Sequence, residues 1–398
     1  MRYVNPAHIL HRIFKIREEL GEIYLNLTIL AFAMSLVAIF IPVYLLIIGF
    51  SLVSVLYFAV IEWTVEGLLS PFIGSLASKI GFKYTIFWRS PTLIILLGLI
   101  TLLDPTYGLN ILGSSLEIPV LTGLGVLFGF SGAVYWTLIN AEFVKYSEAI
   151  HEGEEIGYLY TLMHIVAIIA PFVGGLILTS LGFGSLFLIV SFLIIFSLSP
   201  LFMLKEYKGS IKFKLSDTKL FMNKYLALFF ALDGILIFTE NYLWPVYIFT
   251  TLRDVLSVGL AGSFSGIGIA IITIFIGKLT DRINKKSVIK AGAIFYALIW
   301  VARIFATTPL EIFMLSFLGG LVYILIAIPV YALFCDYARK SPIIHSIFRE
   351  VWLVIGRLLT LTLLIGVIFF SVAGLEVAFI AAGLASLFLI LVVNRFKE

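Results

Sequence analysis

Charge is what this 398-residue sequence has little of: Asp, Glu, Lys and Arg make up 13% of it, about half the share in a soluble globular chain. Hydrophobic residues make up 61%, and the mean hydropathy is +1.13. That much apolar surface exceeds what a water-soluble core can hide, so lipid must cover it and a soluble globule is excluded. A single cysteine, Cys335, excludes an intramolecular disulfide. There is no phosphate-cradling P-loop, so nothing points to nucleotide-driven pumping. No His, Cys and carboxylate cluster has metal spacing, and no nucleophile motif stands out. No metal, cofactor or catalytic residue is expected, which argues against an enzyme.

What the chain does have is long apolar runs. A helical span needs about 20 such residues. Twelve runs qualify, at 23–48, 52–77, 83–103, 118–141, 157–178, 182–204, 225–249, 256–279, 287–307, 311–335, 344–371 and 374–394. They are too long and too weakly alternating for barrel strands. The first lacks a small-residue cleavage site, so it is read as a retained span and not a leader. With both termini placed in the cytoplasm, Arg253 is the one basic residue in an outer loop, and Arg89, Arg303 and Arg357 fall inside spans. Every other Lys and Arg lies on the cytoplasmic side. That asymmetry predicts a multi-pass protein of the cell membrane with cytoplasmic N and C termini. It also explains the basic patches without a nucleic-acid partner.

Four segments follow. In residues 1–22, Ile9, Leu10, Ile13, Phe14 and Leu20 recur at helical spacing between basic residues, predicting an amphipathic helix on the cytoplasmic surface. Residues 23–204 hold six spans, 205–224 form a basic cytoplasmic linker suited to anionic headgroups, and 225–398 hold six more. The two sets echo each other. GSLASKIGFK (74–83) follows the second span of one, and GKLTDRINKK (277–286) follows the second span of the other. INAEFVK (139–145) and LFCDYAR (333–339) end the fourth span of each, placing an acid three residues before a base: Glu142 and Lys145, then Asp336 and Arg339. Two matching features in the same order argue for an internal repeat.

These residues resemble the major facilitator superfamily, whose signature is a Gly-x-Leu-x-Asp-Arg-x-Gly-like loop after the second span, often repeated after the eighth. GKLTDRINKK is a good copy carrying Gly277, Asp281 and Arg282, with Asn284 in the last Gly position. GSLASKIGFK keeps Gly74 but has Ser78 in place of the acid. APFVGG (170–175) is similar to a Gly-Pro-x-x-Gly-Gly run common in drug–proton antiporters of the family, although small residues in spans also serve helix packing. The resemblance implies an all-α integral membrane fold of twelve transmembrane helices in two pseudo-symmetric six-helix bundles, working by alternating access. It implies that the two loops act as cytoplasmic latches, with Asp281 held by a basic residue and a helix N-terminus, and that with Ser78 the first latch is weaker or uses a hydroxyl hydrogen bond.

Ionisable residues inside spans are expensive and mark function or pairing. Glu62 and Glu66 stand four apart, on one helix face, and two ionised carboxylates so close repel. They are a candidate proton site, or a structural pair with Arg89 of the next span. Asp233 and Glu240 stand seven apart on another face. Asp233 is read as a cavity residue, and Glu240 with Trp244 suits a cavity for an organic solute, with Tyr247 as an interfacial anchor. Arg357 cannot lose its proton and needs an anion, with Asp233 a candidate partner. Arg349 and Glu350 read as a pair near the interface, and Arg303 as a snorkelling residue. His164 reads as a packing residue. Tyr135 and Trp136 are candidate cavity aromatics.

The expectation is a monomeric secondary active transporter of a small organic solute, coupled to protons through Glu62, Glu66, Asp233 or Glu240 and surrounded by membrane lipids. APFVGG leans towards export of amphipathic compounds. An uncoupled uniporter of the same fold is one rival. A membrane-embedded lipid-handling protein or enzyme is the other.

Overall fold

The computed structural model describes residues 18–104, 111–146, 152–203, 213–218, 223–282, 284–370 and 374–395. Residues 1–17 of the amphipathic helix expected in residues 1–22, and most of the linker at 205–224, lie outside them. Regular structure among the described residues is helical throughout.

Helices α1 (Glu18–Val37) and α2 (Phe40–Ile47) form the first apolar run. It breaks between them because Pro42 has no N–H to offer the Ala38 carbonyl. Helix α3 (Leu52–Ile80) starts at Ser51, whose hydroxyl accepts the Ser54 N–H at 3.0 Å. It stops at Gly81, where φ of +99° favours a residue without Cβ. The next run is split at Trp88 into α4 (Phe82–Phe87) and α5 (Arg89–Leu102), with Pro91 unable to donate to Phe87. Then come α6 (Glu117–Tyr146) and α7 (Glu152–Met203), the latter divided at Gly182, where φ is +79°.

The second half of the chain runs through α8 (Lys224–Phe238), a π-helical turn over Thr239–Leu243, and α9 (Trp244–Leu252). Pro245 withholds a donor from Asn241 and helps to widen that turn. There follow α10 (Val255–Arg282), α11 (Lys285–Arg303), α12 (Pro309–Ala338), α13 (Pro342–Phe370) and α14 (Glu376–Val393). A capping box joins Thr308 and Glu311 at the start of α12. Among the described residues, ten helical stretches are long and apolar enough to cross a membrane. This is an all-α, multi-span membrane protein.

The two expected loops are mostly helix. Gly74 and Ser78 lie inside α3, and Gly81 alone leaves it. Residues 277–282 close α10, and α11 restarts at Lys285 after Asn284, whose side chain accepts the Lys286 N–H at 2.8 Å. Leu, Ala and Lys are good helix formers, so the short polar stretch did not force an irregular loop.

Within the N-terminal set, α1 packs on α7, and α3 and α5 pack on α6; within the C-terminal set, α10 and α11 pack on α12, and α8 and α11 on α13 and α14 respectively. The sets meet along two seams, α7 against α10 and α13 against both α3 and α6. The APFVGG run builds the first seam. A Cβ at Gly259 would overlap the Pro171 carbonyl, and one at Gly262 would stand 3.0 Å from the Pro171 ring. Gly174 instead faces the Leu36 carbonyl of α1. Small residues thus let three backbones approach in a layer where there is no water to drive association.

Candidate functional site

The second seam carries the charge. Helical spacing puts Glu62 and Glu66 on the buried face of α3, at 4% and 2% exposure. Gly132 of α6 makes room for Glu66, since a Cβ there would overlap Oε2. Gly67 does the same for Val354 of α13, at 2.9 Å. With α3 and α13 this close, Arg357 donates from Nη1 to Glu66 Oε1 at 2.9 Å and stacks over Trp63 at 4.0 Å. Arg357 therefore forms its ion pair with Glu66, and not with the candidate partner Asp233. Glu62 stands within electrostatic reach of Glu66 and Arg357, and its Oε2 has no hydrogen-bond partner.

Arg89 does not pair with either glutamate. Its guanidinium carbon lies 3.6 Å from the centre of the Tyr135 ring, and Arg357 has taken the carboxylate it was expected to meet. Trp136 stands beside Tyr135 in a T-shaped contact at 5.0 Å and is partly exposed.

Further along the seam, Arg349 donates to Glu350 Oε1 at 2.7 Å, and Asn140 of α6 donates to the same oxygen at 2.9 Å. Tyr331 of α12 donates to Asn140 Oδ1 at 2.7 Å. One asparagine thus ties α6 to two helices of the other set. Glu350 is 1% exposed, so the Arg349–Glu350 pair is formed but is buried rather than interfacial. Asp233 is buried on α8 within electrostatic reach of Arg349, Arg357 and Glu350. Asn140 and Tyr331 carry no charge and escaped the sequence reading; Asn140 lies in INAEFVK, two residues before the acid that drew attention.

A second cluster sits wholly within the C-terminal set. Glu240, on the π turn, receives Arg303 Nη1 at 2.6 Å and Nη2 at 3.0 Å, and the Tyr296 hydroxyl at 2.5 Å. The Arg303 guanidinium lies 4.4 Å from Trp244 on one side and 4.4 Å from Trp300 on the other. Trp244 Nε1 donates to Ser316 Oγ at 3.0 Å. Arg303 is 0% exposed, so it does not snorkel; a partner on another helix overrides its position near a span end. Tyr247 is likewise buried, its hydroxyl donating to the Ala306 carbonyl at 3.0 Å, and is no interfacial anchor.

At the chain's motif ends, Glu142 and Lys145 approach to 4.0 Å. Asp336 does not take Arg339 in the matching way but Lys285, at 2.6 Å. Gly74 has Phe213 of the linker and Ile347 of α13 against it, at 3.2 Å and 2.8 Å from where a Cβ would stand. The Ser78 hydroxyl, shared with the Ser75 carbonyl, reaches the Phe213 carbonyl at 2.9 Å. Gly277, Asp281 and Arg282 close α10, but their surroundings, like those of His164, lie outside the described side chains.

Two sets of membrane helices meeting along a buried charged seam define a helical membrane carrier. The profile of the Major Facilitator Superfamily matches residues 23–359, and the chain belongs to that family. It is a transporter and not an enzyme, and alternating access is the family's mode of action. The chain is 25% identical over 305 residues to the multi-drug resistance efflux pump PmrA homolog of Lactococcus lactis subsp. lactis (strain IL1403), covering 72% of each protein. In fold it is similar to the E. coli fucose:proton symporter FucP, with a TM-score of 0.68, 12% identity and coverage of 95% and 98%. It is also similar to a bacterial homologue of the iron transporter ferroportin, with a TM-score of 0.66, 13% identity and coverage of 96% and 100%.

Proposed function

We propose that the chain is a proton-coupled secondary transporter that exports a small organic solute. Its twelve spans form two six-helix bundles, residues 23–204 and 225–398, joined by the linker at 205–224, with both termini cytoplasmic and the monomer as the working unit. The observation that carries the reading is the Glu66–Arg357 pair, which joins α3 to α13 across the seam beside an unpartnered Glu62. A bundle that rocks away from its neighbour must break that pair. A proton on Glu62 removes the negative charge next to it and alters how tightly the seam holds. Glu66 and Glu240 are each held by an arginine, which leaves Glu62, with Asp233 behind it, as the proton carrier. Export is favoured by the relative named as an efflux pump and by the Pro171 to Gly175 run.

The test is proton flux. Proteoliposomes loaded with a pH-sensitive dye are challenged with individual members of a solute panel. Wild-type protein should give a solute-evoked pH change, and Glu62→Gln should lose it while still exchanging labelled solute. Solute movement with no pH change, equal in wild type and variant, would make the protein a uniporter.

A further inference from the structure

We propose that Arg89 binds a carboxylate on the transported solute, so the solute is a carboxylate-bearing organic compound. Arg89 is 7% exposed, and its Nε and Nη1 have no hydrogen-bond partner. No carboxylate among the described residues forms an ion pair with it. A guanidinium does not lose its proton in a protein, and a buried charge without a counter-ion is strongly unfavourable. The acid within electrostatic reach of Arg89, Glu66, is held by Arg357.

The geometry says what is missing. Tyr135 covers one face of the guanidinium at 3.6 Å, leaving the in-plane N–H fork to act at its edge. That fork matches the two oxygens of a carboxylate. Ser131, one helical turn before Tyr135 on α6, has a buried, unpartnered hydroxyl. Arg89 Nε and Nη1 are donors without an acceptor, so the absent group is an acceptor.

The assignment rests on the transport reading but is tested apart from it. Thermal unfolding of the purified full-length protein in detergent is measured with benzoate, cinnamate and 1-naphthoate, each against its primary amide at equal ionic strength. A ligand that binds the folded state alone raises the midpoint. At least one acid should do so where its amide does not, a comparison that needs no variant. Arg89→Gln should weaken that acid by about 30-fold or more, with Arg89→Lys between the two. Acids and amides acting alike would overturn the assignment. So would chloride alone giving the same stabilisation, or an acid preference unchanged in a monodisperse Arg89→Gln protein. If solute-evoked proton flux survives while the acid preference fails, this assignment falls alone. If the preference holds and the flux is absent, proton coupling falls alone.

Discussion

Of the three buried arginine–glutamate pairs among the described residues, Glu240–Arg303 and Glu66–Arg357 stand furthest apart in their surroundings. Glu240–Arg303 is contained within the C-terminal helices. Both carboxylate oxygens are used, a tyrosine adds a third hydrogen bond, and two indoles enclose the cation. Glu66–Arg357 has a single hydrogen bond, joins the two helix sets, and sits beside a second glutamate with an idle oxygen. In the first arrangement both carboxylate oxygens are occupied, although Arg303 Nε and Trp300 Nε1 have no partner. The second is unsaturated and placed where relative motion acts on it. On the proposed reading, which helices a pair connects, and not its depth in the membrane, separates a working charge from a structural one.

That contrast can be broken in graded ways. Removing one partner of the doubly hydrogen-bonded pair, as in Glu240→Gln, leaves a buried guanidinium uncompensated and should destabilise by about 3–5 kcal/mol. Thermal unfolding in detergent would read it, and Glu240→Met with Arg303→Met should recover most of the loss. Glu66→Gln should cost less, about 1.5–3 kcal/mol for one charged hydrogen bond, yet slow solute counterflow more than tenfold. If Glu66→Gln unfolds the protein as readily as Glu240→Gln does, the two pairs are equivalent and the distinction fails. Gly132→Ala should reproduce the transport defect of Glu66→Gln by crowding the carboxylate, with a stability loss of about 1–3 kcal/mol from overpacking. The smallest effect is expected for Ser78→Ala, about 1 kcal/mol or less, with counterflow altered by less than threefold.

The sequence made the membrane class, the apolar runs and the buried acids legible, because each depends on composition and on spacing along one helix. Partners were a different matter. Spacing says which residues share a face but not which helix that face meets. Asp233 is therefore a reasonable candidate partner for Arg357 from the sequence, whereas Gly67 brings α3 against α13 and Gly132 brings α6 against α3, which presents Glu66 instead. Arg303 looked like a snorkelling residue because its depth was read from a span boundary, and the π turn that delivers Glu240 to it leaves no periodic signature. Asn140 was invisible for a simpler reason: a neutral amide in an apolar run has no expense attached to it until its neighbours are known.

Phe213 offers a last consequence. Its ring is seated against Gly74 of α3 and near Ile347 of α13, so the seat is assembled from both sides of the seam. Parting those helices dismantles the seat from one side, whatever solute is present. A polarity-sensitive fluorophore on a cysteine at position 213, in a background with Cys335 replaced, would then brighten or dim with the state of that end of the molecule. The chain carries its own displacement gauge, set apart from the charged residues whose work it would report.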